Sequence, residues 1–211
     1  MIVRRVFFLA IVACGVLVVG GTASRAGGGD ESSALLAPII DNDRVAVWDV
    51  RLPDTAFDAS HHVDGDSVWV SLVARSGEVV FRPKGVEPDH QLPSGRTIVI
   101  DLKDRRVPPL ENKSGYPNAF PRPGVKKVVD NNRVLVWDYT WTPGQATPTH
   151  FHDKDVVVVY MKEGALRSTT PDGQSTMNEF LPGTTKFNVR DRVHTETLVK
   201  GSARAIITEL R

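Results

Sequence analysis

Residues 144–164 read GQATPTHFHDKDVVVVYMKEG, and the interpretation of the whole chain starts from this stretch. His150 and His152 lie two residues apart, immediately before a run of valines. Because side chains at i and i+2 of a β-strand point to the same face, we expect the two imidazoles to lie side by side. Neighbouring imidazoles are typical ligands of transition metals. His194 begins another strand-like segment, so the sequence suggests that three histidines meet at one site.

The N-terminal segment has the order of features found in a secretory signal peptide. Arginines are followed by an apolar run over residues 6–20 and then by small residues. We therefore expect residues 1–26 to be a signal peptide and residues 27–38 a glycine-rich flexible tether, with export to the periplasm or the medium. The alternative is an uncleaved membrane anchor, but the apolar run is shorter than the roughly 20 residues that cross a bilayer. After cleavage no transmembrane domain is expected.

Cys14 is the only cysteine of the sequence. The residues before it resemble a lipoprotein box, but the apolar run continues past Cys14, which argues against lipidation. Signal cleavage would remove this thiol and so exclude disulfides, thiol catalysis and cysteine zinc sites. Cleavage after Ala23 leaves 24 basic and 25 acidic residues, without the basic excess that marks a nucleic-acid partner.

The chain contains an internal repeat. Residues 41–49 read DNDRVAVWD and residues 130–138 read DNNRVLVWD, with seven of nine positions identical at an offset of 89. Further on, GRTIVIDL at 95–102 corresponds to ARAIITEL at 203–210, at an offset of 108. A tandem duplication explains this pattern, with a first copy that is shorter in its second half.

The two copies differ where the chemistry would take place. In the first copy His61 keeps the position of the first histidine, whereas Val63 and Pro88 replace the other two. His61 and His62 are interpreted as part of a polar turn. The first copy is therefore expected to be a structural partner without a metal.

Short β-branched or alternating runs recur throughout, separated by clusters of Gly, Pro, Asp and Asn. Such spacing predicts an all-β sandwich or barrel. No long stretch has a helical period, and only short pieces such as Met177–Phe180 suggest a turn of helix. Trp48 and Trp137 recur at the same place in the two copies and are interpreted as packing residues.

Residues 104–126 join the two copies and are rich in proline. Proline supplies no N–H donor and excludes regular structure over most of this linker. Leu110, Tyr116 and Phe120 are apolar residues that a solvated linker does not need. We therefore expect the linker to lie in extended form along one of the domains.

Residues 144–164 resemble the first motif of the cupin superfamily. In that motif a His-x-His pair lies between two glycines, and a glutamate follows the histidines. The glycines and histidines are in place, but Val156 or Val157 stands where the glutamate is usual, depending on the spacing. Of the second cupin motif, Pro-x-Gly-x-x-His, only His194 is kept.

The resemblance covers both copies and implies an exported two-domain cupin. It implies two tandem antiparallel jelly-roll barrels, a degenerate one over 39–103 and a C-terminal one over 127–211. It also implies that His150, His152 and His194 point inward and hold a divalent transition metal. Three neutral imidazoles suit Fe, Ni, Cu or Zn better than Mg or Ca. The oligomeric state stays open, since two domains in one chain can replace a dimer of single-domain relatives.

Carboxylates near the histidines have several possible roles. Glu196 shares a strand face with His194, so its carboxylate is a candidate fourth ligand, outer partner of a histidine or general base. A solvated strand end is the structural alternative. Asp153 and Asp155 have counterparts in the first copy, which favours a role in the turn.

The valine run is expected to supply an apolar wall to the metal cavity. By period two, Val157, Val159 and Met161 would share the inward face, and Tyr160 would point outward.

Three functions remain open. Cupins with three histidines and no glutamate resemble non-haem iron dioxygenases that act on thiols or β-diketones, and isomerase or hydrolase chemistry follows as an alternative. The second function is binding of a small-molecule ligand or a metal without turnover. The third is a structural or partner-binding module whose metal site is vestigial, because one fold serves many functions.

Overall fold

The computed structural model of the chain describes residues 37–52, 64–86 and 95–211, which belong to one compact unit. These ranges contain fourteen β-strands and a short 3-10 helix at Val73–Arg75. No helix in them is long and apolar enough to cross a bilayer. The expected signal peptide and most of the tether lie outside the described residues, as do the positions of the first copy that correspond to the three histidines, namely His61, Val63 and Pro88.

The first copy forms one antiparallel sheet in the order β1-β2-β5-β3-β4. Its strands are β1 (Ile40–Asp41), β2 (Val45–Leu52), β3 (Asp66–Ser71), β4 (Val79–Arg82) and β5 (Gly95–Leu102).

The second copy forms two antiparallel sheets. Its strands are β6 (Lys126–Asp130), β7 (Val134–Trp141), β8 (His150–His152), β9 (Val156–Tyr160), β10 (Gly164–Thr169), β11 (Ser175–Phe180), β12 (Thr185–Asn188), β13 (Arg192–Gly201) and β14 (Ala203–Leu210). The larger sheet has the order β12-β9-β14-β7-β6 and the smaller one the order β11-β10-β13-β8. The all-β, antiparallel jelly-roll prediction is confirmed. The helical turn expected at Met177–Phe180 is wrong, because these residues pair with β10 as part of β11.

The sheet of the first copy corresponds strand by strand to the larger sheet of the second, in the same order. Residues 72–78, with the short 3-10 helix, occupy the place at which the second copy inserts β10 and β11. This accounts for the greater length of the second copy. Within the described residues, the first copy therefore presents one sheet and the second copy two.

The two five-stranded sheets share an apolar core. Its fully buried members from the first copy include Val47, Val68 and Ile100, and those from the second include Val157, Val159, Met161 and Ile206. Burial of this surface is the main term that holds the two copies together.

This packing corrects the predicted orientation of β9. Val157, Val159 and Met161 face the first copy, whereas Val156, Val158 and Tyr160 belong to the core of the second barrel. Both faces of β9 are buried, so the valine run has no polar alternation that would identify the inward face. Of the two positions at which the motif resemblance places a glutamate, Val156 therefore faces the barrel core.

Trp137 is buried in the barrel core and stacks on Phe120, with the ring centroids 5.5 Å apart. Trp48 is half-buried and packs on the other face of the first sheet, where its indole donates to Asp101 at 2.7 Å. Both residues pack as predicted.

Two ion pairs cross between the copies in opposite directions. Arg44 of the first copy pairs with Asp155 of the second, and Arg133 of the second pairs with Asp66 of the first at 2.8 Å. Arg44 and Arg133 are equivalent residues near the start of each copy, and Asp66 and Asp155 are equivalent as well. Each arginine therefore pairs with the aspartate of the other copy. Asp155 also accepts the backbone N–H of Arg190 at 2.9 Å. Its carboxylate therefore connects its own turn both to Arg44 and to the backbone before β13.

The linker lies along β8, in agreement with its apolar content. The N–H of Ala119 donates to the carbonyl of Phe151 at 2.7 Å, and the N–H of Phe151 donates to the carbonyl of Pro117 at 2.8 Å. These bonds place Phe120 in the barrel core and bring Arg122 to the histidines.

Candidate metal centre

Strands β8 and β13 bring the three predicted histidines together. They pair antiparallel with His194 opposite His150, while His152 lies on the same face two residues on. The ring centroids are 5.0, 4.8 and 5.0 Å apart in the three pairs. One ring nitrogen from each residue can be chosen so that all lie within 4.8 Å of one another.

His150, His152 and His194 are buried, and for His150 and His152 burial favours the neutral form. Burial, with a further contribution from the charge of Arg122, lowers the pKa of His150 to about 4. Burial also places the pKa of His152 well below its ordinary value, with Arg192 adding to the effect. Both rings are therefore neutral at pH 7, as a metal ligand must be.

The ring nitrogens fit a metal of the predicted class. Nδ1 of His150 lies 2.8 Å from the carbonyl oxygen of Pro148, which can only accept, so Nδ1 carries the proton and Nε2 keeps its lone pair. Nδ1 of His152 and Nε2 of His194 are buried and have no hydrogen-bond partner among the described residues. A buried polar atom without a partner requires an explanation, and coordination to Fe, Ni, Cu or Zn supplies one.

Glu196 lies beside this cluster and is not one of its members. Its Oε1 is 3.7 Å from Nε2 of His194, and its Oε2 accepts the indole N–H of Trp141 at 3.0 Å. Burial acts to raise the pKa of Glu196, but the neighbouring His194 and Arg122 outweigh it and hold the pKa below the usual range. Because this contact is to the nitrogen that would face a metal, Glu196 lies as an ionised group on the metal side of His194, and its predicted roles as ligand, outer partner or general base stay predictions.

Arg122 is the residue of the site that the sequence analysis missed. Its Nη1 lies 3.4 Å from Nε2 of His150, and its Nη2 lies 3.5 Å from the Glu196 carboxylate. It comes from the linker, where no motif or period marks it. The only signal was the apolar content of the linker, which indicated docking but not which side chain enters the barrel.

The cavity at the histidines is small, with a volume of about 40 Å³. Val156, Val158 and Tyr160 of β9 line it, together with Trp141 and Phe120. At about 10–15 Å³ for each water, this space holds roughly three water-sized groups.

A larger space of about 530 Å³ is a groove lined by Glu163, Phe180 and Lys200 among others. None of the three histidines lines it. The groove therefore has no part in the candidate metal centre.

No protein-family profile matches the sequence. A curated relative, the beta-alanine degradation protein BauB of Pseudomonas aeruginosa, is 40% identical over 60 residues, which is 28% of this chain. The match spans 59% of that relative, less than two thirds of its length.

Two solved structures are similar over part of the chain. A cupin domain from Bordetella pertussis is 29% identical and covers 43% of this chain and 97% of its own, with a TM-score of 0.38. The polyketide cyclase RemF from Streptomyces resistomycificus is 21% identical and covers 49% of this chain and 80% of its own, with a TM-score of 0.35.

Proposed function

We propose that the chain is an exported cupin whose C-terminal barrel holds one divalent transition metal through His150, His152 and His194. The observation that carries this proposal is the trio of buried imidazoles, of which two have ring nitrogens without a hydrogen-bond partner in the described ranges. Three protein ligands leave positions open, which is typical of catalytic rather than structural metal sites.

We propose a metal-dependent enzyme that acts on a small molecule, with dioxygenase-like chemistry as the leading class. When bound, the metal supplies Lewis-acid or redox chemistry at its open positions. The chain supplies a fixed His150 tautomer, an ionised Glu196 beside His194, and apolar side chains along the cavity. The first copy supports the barrel from outside through the shared core.

The second candidate is a protein that binds a metal or a small ligand without turnover. The cavity volume of about 40 Å³ favours it, because such a space accepts few non-hydrogen atoms. The name of the similar Pseudomonas protein makes β-alanine a sensible first compound to screen for binding or oxygen uptake.

Metal analysis of the purified mature protein tests the proposal. We expect about one Fe, Ni, Cu or Zn ion per chain, because three imidazoles form one site. His150→Ala and His194→Ala should lose the metal, since two imidazoles hold it far less tightly. His61→Ala, at the equivalent position of the first copy, is the matched control and should retain it.

Only trace metal in the wild-type protein after incubation with each ion, together with unchanged stability of His150→Ala, would overturn the proposed metal centre. For the metal-loaded protein, oxygen uptake with a substrate would favour the dioxygenase class. A bound metal without any reactivity would favour the binding protein.

A further inference from the structure

Arg122 is a buried cation whose donors are incompletely used. Its side chain is 7% exposed, and its Nε has no hydrogen-bond partner among the described residues. The nearest acceptors, on His150 and Glu196, lie 3.4 and 3.5 Å from its terminal nitrogens, at the long end of hydrogen-bond distances. A guanidinium has five donors, so this one has capacity left for another acceptor.

Aromatic rings hold the Arg122 guanidinium in place. It lies 4.0 Å from the ring centroid of Tyr139, 4.7 Å from that of Phe120 and 5.8 Å from that of Trp141. Cation–π contacts of this kind stabilise and orient a guanidinium. The backbone bonds between the linker and β8 fix the same segment. Arg122 is therefore preorganised at the histidines and not a mobile surface side chain.

The charge balance of the cavity calls for an anion. Arg122 and Arg192 line it, and Glu196 is the one carboxylate among its described lining residues. A divalent ion on the histidines would make the cavity strongly positive. In a buried space such charge is costly unless an opposite charge compensates it.

We propose that the cavity binds a small carboxylate, with Arg122 as the residue that recognises it. This inference rests on the proposed metal centre: the carboxylate would lie beside the three histidines, and Arg122 would donate to it from the linker side. Arginine suits this task because its planar fork matches a carboxylate and because its charge persists at all physiological pH values. The cavity volume of about 40 Å³ limits the ligand to the size of formate or acetate.

Acetate binding to the cobalt-loaded mature protein tests the inference. Acetate should change the visible spectrum of the bound cobalt in a saturable manner. Arg122→Met keeps an apolar stem against the aromatic rings but removes the donors, and it should weaken acetate binding about 10- to 100-fold. Arg122→Lys should bind acetate with an affinity between those of the wild type and Arg122→Met, because lysine keeps the charge but lacks the planar fork of donors. Arg167→Met, an exposed arginine on β10, is the control and should bind acetate as the wild type does.

Cobalt content and thermal unfolding, measured on the same samples, separate the possible failures. Full cobalt content with acetate affinity unchanged in Arg122→Met would overturn the anion site and leave the metal centre standing. If the wild-type protein holds no cobalt, the metal centre fails. The anion site is then decided by acetate titration of the metal-free protein followed by NMR. Arg122-dependent binding there would support it, and binding that is absent or independent of Arg122 would overturn it.

Discussion

Glu209 is an acidic residue that is 2% exposed, and Trp137 is its hydrogen-bond donor. The indole N–H donates to Oε2 of Glu209 at 2.8 Å. Burial raises the pKa of Glu209, although the charge of Lys154 partly offsets the effect. The native state therefore binds this proton more tightly than the unfolded chain does. Ionisation of Glu209 then reduces stability as the pH rises from the ordinary carboxyl value through the raised one.

Two substitutions separate the charge of Glu209 from its role as an acceptor. Glu209→Gln keeps an oxygen for Trp137 and removes the charge, so at pH 7 it should be at least as stable as the wild type. This advantage should disappear below about pH 4, where the carboxyl is protonated in both states. Glu209→Leu leaves a buried N–H unpaired and should cost about 1–3 kcal/mol. Urea unfolding at both pH values measures these free energies. If Glu209→Gln and Glu209→Leu lost the same free energy of unfolding at pH 7, the separate roles of charge and acceptor would be contradicted.

Individual residues also differ in how far the sequence predicts them. The meeting of His150 and His152 follows from strand geometry, and His194 followed from the motif resemblance. Arg122 follows from neither, because its position depends on hydrogen bonds between the irregular linker and β8. The role of Glu196 was left open for a similar reason: its distance to His194 depends on side-chain packing, which strand period does not determine.

At the scale of the element, β9 shows a limit of period-two reasoning. All five of its residues are buried, because one face packs in the barrel and the other packs against the first copy. Alternation in polarity identifies the inward face of a half-exposed strand, but a strand covered on both sides has none. Even-numbered residues face the barrel interior in both strands. These are His150 and His152 in β8, and Val156, Val158 and Tyr160 in β9.

A pair of substitutions on β9 tests this orientation. Val156→Glu places a carboxylate on the cavity side, near the histidines and Arg122. The variant should fold and release its metal to a chelator more slowly than the wild type. Val157→Glu places the same carboxylate in the apolar core between the sheets, where an unpaired charge is very costly. It should be insoluble or unfolded by circular dichroism.

The reverse result, a soluble Val157→Glu with tighter metal binding and an unfolded Val156→Glu, would show that the strand faces the other way. Equal tolerance of both substitutions would show that neither face is packed as the structure has it.

At the scale of the molecule, the repeat extends from the sequence to its contacts. The indole of Trp48 donates to Asp101 as that of Trp137 does to Glu209, at equivalent positions of the two copies. The repeat predicted two similar sheets and a first copy without the full histidine set. It did not predict that the sheets pack face to face, because no local pattern encodes a contact between copies.

The ion pairs between the copies give a test of that packing. Arg44 and Asp155 are both buried, and burial lowers the pKa of Arg44 more than Asp155 raises it. Asp155→Asn leaves a buried cation without its anion and should cost about 3–5 kcal/mol in urea unfolding of the metal-free protein. The double variant with Arg44→Met should recover most of the lost free energy of unfolding, because it no longer contains an unpaired buried charge.

The equivalent pair, Arg133 and Asp66, supplies the matched comparison. Arg133 also donates to the carbonyls of Leu102 and Lys103, at 3.0 and 3.1 Å, so its guanidinium keeps partners when the carboxylate is removed. Asp66→Asn should therefore cost less than Asp155→Asn. All of these variants should keep the metal, since none of the four residues is among its proposed ligands. An Asp155→Asn protein as stable as the wild type would show that the two sheets do not bury this pair in solution.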